Sequence, residues 1–139
     1  MLLIALAVAA AMPPQHENYI SGGEQAWITS GISFACADDH YGCAVKALHH
    51  NDVGGAVAEL KLAARQHDPR ALRELGLMQL RGDILRRDNA AAVGWLYEAA
   101  LVGDRQSMQL LAYAFSNGVG VAPDKGLAEY WRRRSLETR

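Results

Sequence analysis

The C-terminal part of this sequence repeats itself at an interval of 36 residues. The repetition includes turn and aromatic residues, since Gly82 recurs as Gly118 and Trp95 recurs as Trp131. Such a period is typical of proteins built from stacked helical units, in which one unit cannot bury its own apolar face and must pack on the next. We therefore expect the chain to form a stack of short units around a continuous core.

Each unit carries the signals of two helices. Asp68 and Pro69 predict a helix start, because an aspartate can cap free backbone N–H groups and a proline fits the first helical position. Apolar residues then recur at helical spacing up to Gly82, which predicts the helix end, and Asp88, Asp104 and Asp124 predict the later starts. In the last helix, Leu127, Ala128 and Trp131 are predicted to form the buried face. Half a unit is also visible at residues 56–68, so we expect about six helices in antiparallel pairs. The predicted structural positions of the repeat are Leu75, Gly82, Trp95, Ala99, Leu111, Gly118 and Trp131.

At these positions the sequence resembles the Sel1-like repeat (SLR) family, which is related to the tetratricopeptide repeats. It departs from the family at Gln79, which replaces an aromatic residue, at Ile84, which replaces a second turn glycine, and at Ala112, which replaces a helix glycine. These departures predict an altered first turn within the same fold. The resemblance covers roughly residues 53–135, and the matching residues are Ala71, Leu75, Gly76, Gly82, Asp88, Ala92, Trp95, Ala99, Ala100 and Gly103, followed by Leu111, Phe115, Gly118, Gly120, Val121, Asp124, Ala128 and Trp131.

The resemblance implies an all-α fold, a right-handed α-solenoid of about three helical hairpins whose first helices line a concave surface. Proteins of this family typically act as adaptors that hold other proteins together, often in bacterial envelopes. We therefore predict a non-catalytic module that binds another protein, with no cofactor and no metal. Helical spacing predicts that the partner-binding side chains, which face outward from the first helices, are Arg70, Arg73, Glu74, Leu77, Gln109, Leu110 and Tyr113.

Three other functions fit the same fold. The protein could be a small immunity or inhibitor protein that covers one enzyme, a subunit of a larger envelope complex, or a protein that binds or cleaves cell-wall material. The last of these would use the acidic and histidine residues Asp38, Asp39 and His40. No motif with a catalytic mechanism supports it, because the serines lack a nucleophile-elbow context.

Residues 1–14 are an apolar run that ends in two prolines. The run is shorter than the ~20 residues of a membrane-spanning helix, so no membrane insertion is expected beyond this segment. It is similar to the apolar core of a secretion signal, with three alanines at 9–11 as the cleavage site, although no Lys or Arg precedes it. We predict a periplasmic or secreted protein. The alternative is an N-terminal helix buried in the protein or a partner, in a cytoplasmic chain or a membrane-associated complex subunit.

Residues 15–36 precede the repeat domain, which we place at 37–139. Terminal units of a stack need a cover for their exposed apolar face, and this segment could be that cap. It could equally be an arm that inserts into a partner. Trp27 is the anchor in both hypotheses.

Cys36 and Cys43 are the two cysteines of the chain. An even number of cysteines behind a signal-like segment predicts one disulfide. Two free thiols in the cytosol and a metal site are the alternatives, but a structural zinc site needs four ligands and a closer cysteine pair.

We expect neither phosphate nor nucleic-acid binding. The glycine-rich stretch at 116–131 lacks the Lys-Ser/Thr pair of a phosphate-binding loop and follows a helix, so its glycines are assigned to a turn. The formal net charge is −1. The arginines at 132–134 have no aromatic stacking platform beside them, and we assign them to the solvated end of the last helix.

Overall fold

The structure, a computed structural model, describes residue 36 and residues 38–138. This part of the chain contains six helices and no strand. The helices pack in consecutive pairs along the chain, which confirms the predicted all-α solenoid of antiparallel helix pairs. Residues 1–35, including Trp27, lie outside the described residues, so the domain boundaries stay predictions. In chain order the helices are α1 (His40–His49), α2 (Val53–Arg65), α3 (Pro69–Arg81), α4 (Asn89–Leu101), α5 (Arg105–Asn117) and α6 (Lys125–Glu137).

An aspartate caps the N-terminus of each of these helices. Every capping carboxylate accepts a hydrogen bond from a backbone N–H two or three residues further on, at 2.8–2.9 Å. A cap of this kind contributes about 1 kcal/mol to stability. The caps of α3 to α6 are predicted from the sequence, whereas those of α1 and α2 are not. The capping residues are Asp39, Asp52, Asp68, Asp88, Asp104 and Asp124.

Glycines end α3 and α5, as the repeat predicts. Gly82 has a φ of 72° and Gly118 a φ of 70°, in the left-handed region that glycine adopts at little cost. Gly120 follows with a φ of 71°, and a Cβ there would lie 2.1 Å from the carbonyl oxygen of Asn89 on α4. The corresponding residue of the preceding turn, Ile84, has no positive φ and packs against the core instead. The glycine-rich stretch is thus a turn between paired helices, and the first turn is altered as predicted.

The buried side chains form two clusters that follow one another along the stack. The first core cluster joins α1, α2 and α3 and includes Ala99 of α4, and the second joins α4, α5 and α6. Leu60 and Leu96 occupy equivalent positions of α2 and α4, are 2% and 1% exposed, and each packs into the cluster shared with the next pair. Burial of such a side chain contributes about 2 kcal/mol. The core is therefore shared between neighbouring pairs, which explains why the units must stack.

The two repeat tryptophans differ in their burial. Trp131 is 3% exposed and lies edge-on to Tyr97 of α4 and Tyr130 of its own helix, with ring centroids 5.5 and 5.1 Å apart. Trp95 is half-buried and packs at the edge of the first core cluster. Both tryptophans pack against the core, but only Trp131 is enclosed by it.

Leu127 does not lie on the buried face of α6, although helical spacing predicts that it does. Its side chain is 42% exposed. The buried face of this helix is narrow and is formed by Ala128, Trp131 and Ser135. The prediction for Leu127 is wrong because, among the described helices, α6 packs mainly on α5, whereas α4 packs on both α3 and α5.

The first helices of the pairs (α1, α3 and α5) and the second helices (α2, α4 and α6) form separate layers. Tyr97 of α4 contacts Trp131 of α6, which joins two second helices directly. Arg73 of α3 forms an ion pair with Asp104 at the start of α5, which joins two first helices. The surface of the first-helix layer is where the sequence places the binding residues.

Candidate functional site on the first helices

The predicted binding residues lie on α3 and α5 and differ in exposure. Arg70 and Gln109 are exposed, and Tyr113 is 62% exposed. Glu74 and Leu77 are half-buried on α3. These five side chains are available to a partner to different degrees.

Arg73 and Leu110 do not face outward as predicted. The guanidinium Nη1 of Arg73 lies 2.6 Å from Oδ1 of Asp104, and the two side chains are only 16% and 12% exposed. The Asp104 carboxylate also accepts hydrogen bonds from the backbone N–H and the hydroxyl of Ser107, at 2.8 and 2.7 Å. Leu110 packs against the second core cluster. Helical spacing could not reveal the Arg73 contact, because its partner lies 31 residues away in the chain.

Arg70 joins the first hairpin to the second at an exposed edge. Its guanidinium lies 4.2 Å from the centre of the Tyr41 ring, 2.7 Å from Oδ2 of Asp68 and 3.9 Å from Oδ1 of Asp39. The side-chain hydrogen bond between Arg70 and Asp68 raises the pKa of the guanidinium and lowers the pKa of the carboxyl. With its side chain 52% exposed, Arg70 still presents its charge to solvent.

One repeat position places an apolar side chain on each first helix. Leu77 and Tyr113 are one repeat interval of 36 residues apart. Aligning the last residues of α1 and α3, His49 with Arg81, places Val45 at the same position. Val45 is 37% exposed, Leu77 half-buried and Tyr113 62% exposed. We call these three residues the apolar row.

The segment before α1 carries the predicted disulfide. Cys36 and Cys43 are bonded to each other, with Cα atoms 5.8 Å apart. Asp39 caps α1, and His40 Nδ1 lies 2.7 Å from Oε2 of Glu59 on α2. Each of these side chains therefore has a structural partner. The described residues contain no group of three or more His, Cys, Asp or Glu that could hold a metal ion.

Sequence reasoning missed the His40–Glu59 pair. Glu59 stands at the repeat position that Trp95 and Trp131 occupy in the two later pairs. A carboxylate at the position of a buried aromatic residue needs a compensating partner, because burial of an unpaired charge is costly. That substitution was the signal in the sequence that could have identified the pair.

Two arginines of the run at 132–134 make contacts within α6. Arg132 pairs with Glu129, and Arg134 donates a hydrogen bond to the Tyr130 hydroxyl at 2.7 Å. A depression of 630 Å³ runs along this helix and is lined by α6 and Thr138 alone. Without a second element as its wall, this depression does not enclose a ligand. None of the helices between His40 and Glu137 combines the length and apolar character that crossing a membrane requires.

The comparisons with known proteins agree with the repeat pattern. The Sel1 repeat family model matches residues 69–104 and 105–136, which contain α3 with α4 and α5 with α6. The first hairpin lies outside both matches. No curated protein matches the sequence.

Two solved structures share the fold. A Sel1 repeat protein from Oxalobacter formigenes is 32% identical with a TM-score of 0.59, over 61% of this chain and 65% of that one. A protective antigen present in uropathogenic Escherichia coli strains, described as displaying an SLR fold, is 27% identical with a TM-score of 0.65, over 70% of this chain and 22% of that one. The chain thus spans about two thirds of the first protein and less than a quarter of the second. The chain carries two Sel1 repeats, and its six described helices have the fold of the Sel1-like repeat proteins.

Proposed function

We propose that this chain is a non-catalytic adaptor that binds another protein on the surface of its first helices. Sel1 repeats generally mediate contacts between proteins and generally carry no catalytic activity of their own. The observation that supports a binding role for this surface is the exposure of Tyr113. A tyrosine that is 62% exposed on a helix with a fully buried opposite side gains little from the core of its own chain.

Tyr113 suits an interface anchor for two reasons. Its neighbours Leu111 and Ala112 are buried in the second core cluster, which fixes the helix under it. The side-chain amide of Asn117 also donates a hydrogen bond to the Tyr113 carbonyl at 2.9 Å and so supports the end of this helix. A rigidly mounted aromatic side chain loses little entropy on binding and is often an energetic centre of an interface. The partner's apolar side chain would contact the apolar row, with Arg70 at its edge.

We place this adaptor in the periplasm or outside the cell. The Cys36–Cys43 disulfide supports this location, since disulfides persist in oxidising compartments. Intact-mass measurement of the protein from its host tests the proposal. Loss of the N-terminal apolar segment together with two hydrogens supports it, whereas a full-length chain with free thiols contradicts it.

Affinity capture of tagged protein from its host, followed by mass spectrometry, tests the binding role. We expect one stoichiometric prey protein for the wild type and its loss for Tyr113→Ala. Tyr130→Ala is the matched control, because Tyr130 is an exposed tyrosine of the second-helix layer at 47%. With the purified prey, Tyr113→Ala should raise Kd by about 30-fold or more, the effect expected of an interface hot spot.

Two results would contradict the proposed surface. One is equal prey recovery for the wild type and Tyr113→Ala, and the other is loss of the prey only in Tyr130→Ala. A tight complex with a single enzyme whose activity it blocks would assign the same surface to an inhibitor or immunity protein.

A further inference from the structure

The first helix, α1, has the fewest buried residues of the six described helices. It is 10 residues long, whereas each of the other five has 13. Its buried residues are Cys43 and Ala44, while α2 buries six residues and α3 and α5 bury five each. An isolated helix of this length is marginal in water. The position of α1 therefore depends on how it is held to the rest of the stack.

The side-chain contacts that join α1 to other helices lie in its first turn. His40 Nδ1 lies 2.7 Å from Oε2 of Glu59 on α2, and the guanidinium of Arg70 on α3 lies 4.2 Å from the centre of the Tyr41 ring. Among the described helices, α1 packs mainly on α2. The second half of α1 is largely open to solvent, and its exposed residues are Val45, Lys46, Leu48 and His49. Loss of the first turn would therefore release most of the helix.

The disulfide spans this same turn. Cys43 is bonded to Cys36, seven positions earlier in the sequence, and the loop that the bond closes contains the capping Asp39 and His40. The backbone N–H of Cys43 donates a hydrogen bond to the Asp39 carbonyl at 3.1 Å. The covalent bond thus constrains both the residues that start α1 and the residue that pairs with α2.

Cys43 stands where the later first helices carry a core leucine. With the ends of α1 and α3 aligned as above, the corresponding residues are Leu75 and Leu111, which are buried in the two core clusters. Cys43 and Cys36 are also buried, at 4% and 1% exposed. A leucine packs in the same way under all redox conditions, whereas this cysteine is linked only in the oxidised chain. The docking of α1 is therefore the one among the first helices that depends on a redox reaction.

We propose that the Cys36–Cys43 disulfide is a redox switch that docks α1, so that the surface of the first helices is complete only in the oxidised chain. The part of this inference that concerns binding rests on the proposed function. Val45 of the apolar row and Tyr41, on which Arg70 stacks, both lie on α1 and leave the surface when this helix opens. The part of the surface on α3 and α5 stays in place. Binding of a partner across the whole apolar row and reduction of the disulfide therefore oppose each other.

The switch operates by thiol–disulfide exchange with a dithiol. One thiolate of the dithiol attacks a sulfur of the Cys36–Cys43 bond, which breaks as a mixed disulfide forms. The second thiol of the dithiol then displaces the protein sulfur, which leaves two protein thiols and one oxidised dithiol. In the reverse direction, a disulfide compound takes up two electrons and two protons from the two cysteines and becomes two thiols. Because both sulfurs belong to buried residues, the first turn of α1 must open before either is attacked.

Hydrogen–deuterium exchange of the full chain without a partner, read by mass spectrometry, tests the switch. Reduction of the wild type with dithiothreitol should speed exchange of the α1 amides by about 50-fold, because the open state is no longer constrained by a closed loop. The amides of α4 to α6 should keep their rates. Cys36→Ala is the matched control, since it removes the bond and leaves the sequence of α1 unchanged. This variant should exchange like the reduced wild type, both with and without dithiothreitol.

The affinity for the captured prey protein tests the consequence for binding. The oxidised wild type should bind the prey with a Kd about tenfold lower than that of the reduced wild type. Val45→Ala in the oxidised chain should show part of this loss, because it removes the contribution of α1 to the apolar row while the disulfide stays intact.

Three results would overturn the proposal. The first is unchanged exchange of α1 on reduction, and the second is an equal acceleration in all six helices, which would make the bond a stabiliser of the whole stack. The third is an equal Kd of the oxidised and reduced wild type for a prey that Tyr113→Ala loses. If Tyr113→Ala keeps the prey, the proposed function fails instead, and the exchange measurement decides on the switch by itself. If Cys36→Ala does not fold, the reduced wild type provides the same comparison.

Discussion

The two junctions between neighbouring hairpins use the same repeat positions, but the tryptophans at these junctions are buried to different extents. At the second junction, between α3–α4 and α5–α6, Trp131 is 3% exposed and lies against Tyr97 of the preceding hairpin. At the first junction, between α1–α2 and α3–α4, Trp95 is only half-buried. The residue of α2 at the Tyr97 position is Lys61, which offers no aromatic edge. The burial of a repeat residue is therefore decided by the hairpin before it.

The arginines at the two junctions also differ in exposure, and again the residue at the second junction is the more buried. Arg73 reaches across the second junction to Asp104 and is 16% exposed, whereas Arg70 reaches back across the first to Tyr41 and Asp39 and is 52% exposed. The first hairpin lies outside the Sel1 matches and keeps its place through exposed contacts of this kind together with a shared leucine core. A unit can thus lose the signature residues of a repeat and still belong to the stack.

The largest expected difference between the junctions is that between the two tryptophans. Trp131→Ala should lower the free energy of unfolding by about 3–5 kcal/mol, because it removes a fully buried aromatic residue. Trp95→Ala should cost about 2 kcal/mol, since part of the ring already contacts solvent. Urea unfolding of both variants measures the difference. Equal losses of unfolding free energy would show that the two tryptophans contribute alike to their junctions.

The second prediction compares the pairs at the two ends of the stack. Glu59→Ala should cost about 1–3 kcal/mol, because it leaves His40 mostly buried without its partner. Glu129→Ala should change stability by no more than about 0.5 kcal/mol, since its pair with Arg132 is exposed. Thermal unfolding of both variants checks this. A loss in Glu129→Ala as large as that in Glu59→Ala would contradict the distinction between a mostly buried pair and an exposed pair.

The third prediction concerns the arginines. Arg73→Ala should lower the free energy of unfolding by about 1.5 kcal/mol, because it breaks a partly buried, charge-assisted hydrogen bond. Arg70→Ala should cost less than about 1 kcal/mol, since solvent screens its exposed contacts. The control Asp104→Asn, which keeps an N-cap, should show coupling to Arg73→Ala in a double-mutant cycle and none to Arg70→Ala. Coupling of Asp104→Asn to Arg70→Ala and none to Arg73→Ala would mean that the Arg73–Asp104 ion pair does not form.

The smallest expected effect is the pH dependence at the first junction. The Arg70 hydrogen bond lowers the pKa of Asp68 in the folded state. The ionised Asp68 carboxylate therefore stabilises the fold above its unfolded pKa of about 3.9, and this stabilisation is lost as the pH falls through the lower folded pKa. Asp68→Asn keeps a capping side chain but loses the charge. At pH 7 this variant should have the lower Tm by a small margin, and the difference should shrink as the pH falls below about 3.9. A difference in Tm that stays constant as the pH falls would have another cause.

Local signals predict most of this fold, and contacts between hairpins account for what they miss. The aspartate caps of α3 to α6 and the glycines that end α3 and α5 depend on a few neighbouring residues, so the sequence identifies them. Arg73 is mostly buried because it pairs with Asp104, one hairpin further on, and the prediction that it faces outward was wrong. For the same reason the half-burial of Trp95 could not be derived from its own helix. Tyr113, which helical spacing predicts to face outward, is 62% exposed, since no neighbouring hairpin reaches over it as Asp104 does for Arg73.

The exposed ion pair on α6 has a consequence for how copies of this chain meet in solution. If the two ends of a solenoid could pack on each other, copies would join head to tail, and such a heterologous contact does not close and grows into a filament. On α6 the positions of the stacking residues Val93 and Leu96 are occupied by Glu129 and Arg132. A copy that packed there would have to dehydrate both charges, which is costly even for a matched pair. The exposed Glu129–Arg132 pair therefore disfavours such a contact on this surface of α6.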